Sequence, residues 1–231
     1  KLRMPCAISR PELKKIVAGC VEHSGLDDAY VEMIQTRGMS PNFQRDPRKA
    51  SPRFMAFAVP FGWILEPQNF ESGLNVIVSD RRRISPDSID SRIKNYHWLD
   101  LVSGMYEAYD ANSDTVILTD EKNNISEGPG FNIFCLNENG ISTPKKGVLE
   151  GITRQTVMEL AKEIRLPVNL CSVSIELLKD SDEVFASSTA GGVMPIISID
   201  NQIIGDGSPG PLTRELHKLY WDMHDDPKWS I

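Results

Sequence analysis

A lysine, a carboxylate and two turns suited to binding anions follow one another along residues 94–192. Lys94 lies between the strand-like run LNVIVS and a helix-like run that begins near residue 97, and Glu127 stands in the glycine-rich segment SEGPGFN. A lysine amine can form a Schiff base with an aldehyde, although a lysine judged alone is more often an exposed surface residue. If Lys94 is there for chemistry, we expect its amine to be held partly out of bulk water, opposite Glu127.

The two turns are Gly151-Ile152-Thr153, before a predicted helix, and SSTAGG, residues 187–192, after a predicted strand. The N-terminus of a helix offers unpaired backbone N–H groups and the positive end of the helix dipole. A loop of small hydroxyl-bearing residues and glycines offers hydroxyls and uncovered N–H groups. Taken singly, Thr153 is more often a plain helix cap and a glycine-rich loop an ordinary turn. Their occurrence together with Lys94 and Glu127 favours a phosphate-binding site.

Strands and helices mix without strict alternation, which favours an α+β fold with a mixed sheet. We expect a small domain over residues 1–62, a linker over 63–70 and a large domain over 71–231. Ser9 and Glu12 predict a capping box at the first helix. Later helices are predicted at residues 97–109, 153–164 and 211–223, and strands at 29–36, 54–60, 74–79, 115–119, 131–136, 140–144, 168–174, 183–188 and 193–200.

Composition excludes several classes of function. The net charge of −7 argues against a nucleic-acid partner, and Arg81-Arg82-Arg83 reads as a solvated turn in this acidic chain. No apolar run reaches the ~18 to 20 residues that a membrane span needs. The four cysteines form no CxxC pair, which indicates reduced thiols in a cytoplasmic protein. The four histidines show no metal-ligand spacing, so we predict no metal site.

A lysine, a carboxylate and a phosphate-binding turn are together what pyridoxal 5′-phosphate requires of a protein. The segments IKNYHWLDL, SEGPGFNIF, GVLEGITRQTV and SSTAGGVMPI resemble successive blocks of the class IV, or fold type IV, pyridoxal-phosphate aminotransferases. The blocks follow the family's order, and the resemblance runs over nearly the whole chain. The implied fold is that of the D-amino-acid aminotransferases, with two domains.

The resemblance implies a role for each candidate residue. Lys94 is the Schiff-base lysine and the acid–base catalyst that moves a proton between the amine carbon and C4′ of the cofactor. Glu127 falls at the carboxylate that pairs with the pyridine nitrogen. Trp98 and Ala190 fall beside the ring or the substrate. Four residues fall at the two phosphate-binding turns: Ile152, Thr153, Ser188 and Thr189.

The stretch AYVEMIQTRG, residues 29–38, bears on the substrate. With Tyr30 and Glu32 it resembles the (R)-selective amine transaminases, whereas branched-chain aminotransferases tend to carry an arginine in place of Glu32. Tyr30 would then face the substrate. Arg45 or Arg48 in the following loop is the candidate to bind a keto acid's carboxylate, because a guanidinium pairs with it in bidentate fashion. The implied enzyme is a homodimer that moves an amino group from an (R)-amine or D-configured donor to a keto acid such as pyruvate.

Three alternatives stay open at this point. The first is a branched-chain or D-amino-acid aminotransferase of the same family, and the second is a lyase that uses the same cofactor. The family also has a further N-terminal segment, so we expect this chain to lack the N-terminal part of the small domain. The third alternative is therefore a truncated, inactive paralogue that acts as a binding subunit.

Overall fold

The computed structural model describes residues 1–229 and divides the chain into two compact units, one formed by Lys1–Gly62 and one that starts at Trp63. The first unit contains helix α1 (Arg10–Ser24) and an antiparallel pair of strands, β1 (Ala29–Met39) and β2 (Ser51–Pro60). The capping box of α1 is confirmed, because the Glu12 carboxylate accepts from the Ser9 backbone N–H at 3.1 Å while the Ser9 hydroxyl accepts from the Glu12 N–H. Two 3₁₀ turns, Pro41–Phe43 and Pro47–Lys49, connect the strands.

The second unit is an eight-stranded mixed sheet with four α-helices in the part of the chain that the structure describes. Within this unit a 3₁₀ helix at Pro67–Ser72 precedes the sheet and overlaps the segment 63–70 that was predicted as a linker. The helices are α2 (Leu99–Asp110), α3 (Ile152–Glu163), α4 (Ile175–Lys179) and α5 (Pro211–Asp222). The strands are β3 (Leu74–Arg82), β4 (Thr115–Thr119), β5 (Asn132–Asn137), β6 (Gly140–Pro144), β7 (Val168–Cys171), β8 (Glu183–Ser188), β9 (Gly192–Ile199) and β10 (Gln202–Ile203).

The strand order confirms the α+β fold with a mixed sheet. The sheet runs β4-β3-β9-β8-β5-β6-β7, with β10 beside β9. Strand β3 is parallel to both β4 and β9, whereas β8 is antiparallel to β9 and to β5. In the pairing of β5 with β8, Asn132 stands opposite Ser187. The start of β5 and the end of β8 therefore lie side by side, which places the turns beyond them at one edge of the sheet.

Alternation along the central strands buries both faces of this sheet. Ile133 and Cys135 of β5 belong to one apolar core, whereas Phe134 points to the other and stacks on Phe185 of β8 at 5.0 Å between ring centroids. The second core is completed by apolar side chains of α3 and α5, among them Val157 and Leu216. Residues that carry polar chemistry at the ends of β5 and β8 are thus fixed by packing on both sides.

Two predicted elements differ from the observed ones. The helix expected from about residue 97 begins at Leu99, so Trp98 is its N-cap residue and does not lie within its first turn. The strand expected over residues 168–174 ends at Cys171, because the Ser174 hydroxyl accepts the N–H of Leu177 at 3.1 Å and starts the short helix α4. None of the helices described within residues 1–229 is long and apolar enough to cross a bilayer.

Candidate active site

Glu127 is a buried carboxylate whose two oxygens are both bound. The side chain is 6% exposed and lies in the turn between β4 and β5. Its Oε2 atom accepts the backbone N–H of Leu149 at 2.8 Å, and its Oε1 atom accepts Nε of Arg83 at 3.0 Å. The turn itself is pinned by backbone bonds, among them Leu118 N–H to the Glu127 carbonyl at 3.1 Å. The carboxylate plane is thereby fixed from two sides.

Arg83 is buried, which corrects the prediction that Arg81-Arg82-Arg83 is a solvated turn. Arg81 and Arg82 are exposed, but the Arg83 side chain is only 9% exposed. Besides Glu127, it binds Asp100 through Nη1 at 2.6 Å. The physical reason is the end of β3: the chain turns after Arg82, and the next side chain enters the space between the start of α2 and the Glu127 turn.

Burial and neighbours act on the Glu127 carboxyl in opposite directions. Loss of solvent raises its pKa above the usual value of 4.5, and the nearby Asp100 charge raises it further. The Leu149 N–H group and the Arg83 charge lower the pKa again without cancelling the effect of burial. A second cation close by would therefore stabilise the ionised form of Glu127.

The N-terminus of α3 lies next to this turn. Asn132 donates from its side-chain amide to the Leu149 carbonyl at 2.9 Å, and the Leu149 N–H group binds Glu127. Gly151 is the N-cap, so Thr153 is not the plain helix cap that it would more often be when taken singly. A Cβ at Gly151 would lie 2.6 Å from Oδ1 of Asn132, so only glycine fits this approach. The N–H groups that open α3 are accordingly left without a side-chain cap, as an anion site requires.

Within that first turn, Ile152 and Thr153 differ in exposure. The Ile152 side chain is exposed, so its backbone N–H is the group that could serve an anion. Thr153 is buried near the Tyr220 phenol. Burial raises the pKa of Tyr220, whereas the neighbouring Thr153 side chain lowers it.

The loop between β8 and β9 forms the second turn of the site. The Ser188 hydroxyl donates to the Gly130 carbonyl at 2.8 Å and accepts the Ala190 N–H at 3.1 Å. Thr189 is exposed and Ala190 half-buried. Gly192 has a φ of 66°, and a Cβ there would lie 2.7 Å from the Tyr220 ring. Since Thr153 acts on the pKa of Tyr220, this tyrosine lies near both turns.

The structure therefore brings Glu127, Thr153 and Ser188 into one region. Ser188 bonds to the turn that follows Glu127, and Leu149 links that turn to the segment before α3. Ser187, beside Ser188, is buried and its hydroxyl oxygen finds no partner among residues 1–229. An unpaired buried hydroxyl is costly and needs a polar partner. This hydroxyl and the uncapped helix start fit a phosphate group, and the Glu127 carboxylate is the acceptor that a protonated pyridine nitrogen needs.

Lys94 is exposed, so the expectation of an amine shielded from bulk water is wrong for this structure. The residue lies in the loop between β3 and α2, and it forms no hydrogen bond or ion pair with any of the residues 1–229. Polar neighbours explain the exposure, because Asn95 bonds only within the loop, to Ile93 O and His97 N–H, and offers no apolar wall. The loop is fixed at its base, where Asp100 accepts the Ile84 N–H at 2.7 Å.

Trp98 lies at the N-cap of α2 and is partly exposed. Its indole ring approaches Gly130: a Cβ built on that glycine would lie 3.6 Å from the ring. Because Gly130 also accepts from Ser188, Trp98 stands over the turn that connects Glu127 to the loop after β8. Trp98 thus lies close to the turn that follows Glu127.

The first unit holds the other candidates. Tyr30 is half-buried on β1 and packs edge-on against Phe61, with ring centroids 6.1 Å apart. Burial, and secondarily the charge of Glu32, raises the pKa of Tyr30, which places both side chains on one face of the strand. Arg48 is engaged by Asp46 in a bidentate pair at 2.9 and 2.8 Å. Arg45 is exposed and has no partner within residues 1–229, which leaves it as the available guanidinium of the loop.

Sequence patterns missed Arg83, Asp100, Asn132 and Tyr220. Only Asp100 carried a signal, since an acidic residue in the first turn of a helix is favourable. Within residues 1–229 there is no group of three or more His, Cys, Asp or Glu side chains that could hold a metal ion. The four cysteines, Cys6, Cys20, Cys135 and Cys171, are free thiols.

Comparisons with known proteins identify the family. The model of the "Amino-transferase class IV" family matches residues 1–199. A putative branched-chain-amino-acid aminotransferase of Methanocaldococcus jannaschii is 30% identical over 227 residues, which cover 97% of this chain and 76% of that protein. The branched-chain-amino-acid aminotransferase of Escherichia coli K12 is 30% identical over 239 residues, which cover 99% of this chain and 76% of that protein.

Solved structures agree with the sequence relatives. The Escherichia coli branched-chain aminotransferase superposes with a TM-score of 0.89 at 28% identity over 99% of this chain and 77% of that one. The T.th. branched-chain aminotransferase complexed with N-(5′-phosphopyridoxyl)-L-glutamate gives a TM-score of 0.86 at 25% identity. The match covers 99% of this chain and 76% of that one. The sheet order, the buried carboxylate and these matches have one explanation: the chain belongs to the class IV aminotransferases.

Proposed function

We propose that this class IV aminotransferase moves an amino group from an (R)-amine or a D-configured donor to a keto acid such as pyruvate. Its cofactor, as in the family, is pyridoxal 5′-phosphate. The observation that carries the proposal is Glu127, a buried carboxylate with both oxygens fixed beside an uncapped helix start. A carboxylate held in this way stabilises a protonated ring nitrogen better than a mobile, solvated one, because water does not screen the pair.

Each candidate residue has a part in holding the cofactor or moving a proton. When bound, pyridoxal 5′-phosphate supplies an aldehyde and a ring that takes up the electrons of a broken C–H bond. Lys94 would bind the aldehyde carbon through its amine, then carry the proton. Glu127 would keep the ring nitrogen protonated. The phosphate would be held by the Ile152 N–H group and by the hydroxyls of Thr153, Ser188 and Thr189.

The choice of donor rests on Glu32 and Tyr30. Both side chains lie on one face of β1, and the Glu32 charge acts on the Tyr30 hydroxyl. If Tyr30 faces the substrate, as the resemblance implies, the Glu32 carboxylate repels a second carboxylate on a substrate such as glutamate. An amine donor whose side chain carries no charge is not repelled by Glu32. We further propose that Trp98 and Ala190 bound the substrate and that Arg45 binds the keto acid's carboxylate.

A branched-chain-amino-acid aminotransferase is the second candidate, because the relatives from Methanocaldococcus jannaschii and Escherichia coli carry that name. Initial rates with pyruvate separate the two. We expect (R)-1-phenylethylamine to react faster than its (S)-enantiomer, and D-alanine faster than L-leucine. Faster reaction of L-leucine would establish the second candidate. A rate no higher than that of the free cofactor would instead identify an inactive binding subunit, and release of ammonia without an amino acceptor a lyase.

The Glu32→Arg substitution tests the donor argument directly. It is expected to increase the rate with 2-oxoglutarate as acceptor, since the new guanidinium can pair with the second carboxylate. Glu22→Arg, at an exposed position on α1, introduces the same charge change as a matched control. An unchanged ratio of 2-oxoglutarate to pyruvate rates in Glu32→Arg would contradict a substrate-facing Glu32.

Cofactor attachment is tested by colour and by reduction. The purified protein is expected to be yellow, and borohydride is expected to fix the cofactor on Lys94, where peptide mass spectrometry locates it. We also propose a homodimer, to be measured by analytical ultracentrifugation, and a cytoplasmic location, which the four free thiols support. A cofactor found on another lysine would rule out the role of Lys94.

A further inference from the structure

One guanidinium joins two carboxylates at the base of the loop that carries Lys94. Arg83 binds Glu127 through Nε at 3.0 Å and Asp100 through Nη1 at 2.6 Å, and all three side chains are largely buried. We propose that Arg83 is a positioning residue that fixes Glu127 and the base of the Lys94 loop relative to each other. This inference rests on the proposed function and names a residue that acts through Glu127 rather than on the substrate.

The base of the loop is closed by Asp100. Its Oδ2 atom accepts from both the Ile84 N–H group and Arg83, at 2.7 and 2.6 Å, which joins positions 16 and 17 residues apart. Its Oδ1 atom accepts the Leu101 N–H at 2.9 Å, at the start of α2. Both ends of the loop are therefore held by one carboxylate, and Arg83 connects that carboxylate to Glu127.

The geometry suits arginine and no other residue. A guanidinium presents several donors in a rigid plane, so it can bind two carboxylates at once, whereas a lysine ammonium acts as a point charge. Arg83 uses Nε for one carboxylate and Nη1 for the other. Arg82, its neighbour, is exposed, and its one side-chain bond within residues 1–229 is a contact of 3.5 Å with Asn123. The two arginines form a natural pair of test and control positions.

The charges around Glu127 determine what loss of Arg83 does. Arg83 and the Leu149 N–H group stabilise the ionised carboxylate, Asp100 opposes ionisation, and Arg154 acts on it from α3. Removing the Arg83 charge leaves two buried carboxylates near each other, so Glu127 takes up a proton at higher pH. A neutral Glu127 no longer favours a protonated ring nitrogen, and the acidic limb of the kcat–pH profile moves upward.

The experiment compares Arg83→Gln, Arg83→Lys and the control Arg82→Gln with the wild type. The measurements are the Kd of pyridoxal 5′-phosphate from its visible absorption, the pH dependence of that absorption, and kcat and KM across pH. For Arg83→Gln we expect Kd to rise about tenfold and the acidic limb to move upward by about one pH unit. Arg83→Lys is expected to return the acidic limb of the kcat–pH profile to its wild-type position but not to restore the Kd of the cofactor. Lysine keeps the positive charge but lacks the planar set of donors that binds both carboxylates. Arg82→Gln is expected to match the wild type.

Each outcome decides the inference. The inference is overturned if Arg83→Gln has the cofactor Kd, the absorption profile and the acidic limb of the wild type. Arg83 would then have a structural role only, whatever the melting temperature of the variant. If Arg83→Gln does not fold, Arg83→Lys decides: a Kd equal to that of the wild type would overturn the inference. A wild-type protein that binds no cofactor would remove the proposed function itself, which is a result distinct from an unaffected variant of a yellow enzyme.

Discussion

The carboxylate side of the site and the lysine loop are built in opposite ways. Glu127 is buried, both its oxygens are bound, and Arg83, Leu149 and the turn before β5 hold it in one orientation. Lys94 is exposed on a loop whose base is fixed by Asp100, while its own amine has no bond to residues 1–229. On the roles proposed for them, packing fixes Glu127 in advance of cofactor binding, and Lys94 stays unengaged and available to an incoming aldehyde.

The difference has a physical basis. A carboxylate that stabilises charge acts by its position alone, so every bond that fixes it before the reaction reduces the reorganisation needed later. A lysine that forms and breaks a covalent bond must instead move between partners, and a strong ion pair would compete with that bond. Variants on the two sides should therefore fail in different ways.

Lys94→Ala is expected to have the largest effect, a loss of about 10²–10⁴-fold or more in kcat. Without the amine there is neither a covalent attachment nor a proton carrier, so the borohydride-fixed cofactor should also disappear from the protein. Because Lys94 is exposed and makes no bond within residues 1–229, the melting temperature should stay unchanged. Lys122→Ala, at another exposed lysine, is the control. An active Lys94→Ala variant would refute the proposed role.

Glu127→Gln is expected to lower kcat by about 10²-fold, because the amide cannot hold the ring nitrogen in its protonated form. Unlike Lys94→Ala, this variant should still be labelled by borohydride on Lys94. If Glu127→Gln keeps its fold but the cofactor is no longer attached to Lys94, the two sides of the site do not fail in different ways.

The same substitution should change how stability depends on pH. Burial raises the folded-state pKa of Glu127 above its usual value of 4.5, so its contribution to stability is fully present below that value. The contribution is lost as pH rises through the folded-state pKa. Urea unfolding from about pH 4 to about pH 8 should therefore show a smaller loss of stability with rising pH in Glu127→Gln than in the wild type. Identical slopes would contradict a raised pKa.

The two sides also differ in what the sequence could predict. The glycine-rich blocks marked Glu127, the α3 start and Ser188 only in combination with Lys94, because each turn taken singly is more often an ordinary one. The pairing of β5 with β8 then places the turn that carries Glu127 beside Ser188. The order of the predicted strands and helices, which do not alternate strictly, indicated the mixed sheet. Arg83 could not be found this way, because nothing in the sequence distinguishes it from Arg81 and Arg82. Only the position at which β3 ends decides which of the three side chains is buried. The exposure of Lys94 was likewise out of reach, because the packing around a loop depends on residues far along the chain.

Gly151→Ala tests the packing around the anion-binding turn. The added Cβ would lie 2.6 Å from Oδ1 of Asn132, so the N-terminus of α3 or the Asn132 side chain must move. We expect a loss of about 1–3 kcal/mol in unfolding free energy and a weaker cofactor Kd. Gly19→Ala is the matched control, because a Cβ at Gly19 meets nothing within 4 Å and α1 should gain about 0.5–1 kcal/mol. A Gly151→Ala variant as stable as the wild type would contradict the close approach.

Tyr220→Phe should have the smallest effect of these substitutions. On the carboxylate side of the site, it distinguishes an effect on protein stability from an effect on cofactor binding. The substitution removes the hydroxyl that can bond to the nearby Thr153 and keeps the ring that packs against Gly192. Loss of one buried hydrogen bond should cost about 1 kcal/mol in unfolding free energy. The Thr153 hydroxyl then turns freely, so affinity for pyridoxal 5′-phosphate should fall more than affinity for pyridoxal, which has no phosphate. Tyr109→Phe, at an exposed position on α2, should change neither. Equal losses for the two ligands would place the Thr153 hydroxyl away from the phosphate and reduce Tyr220 to a packing role.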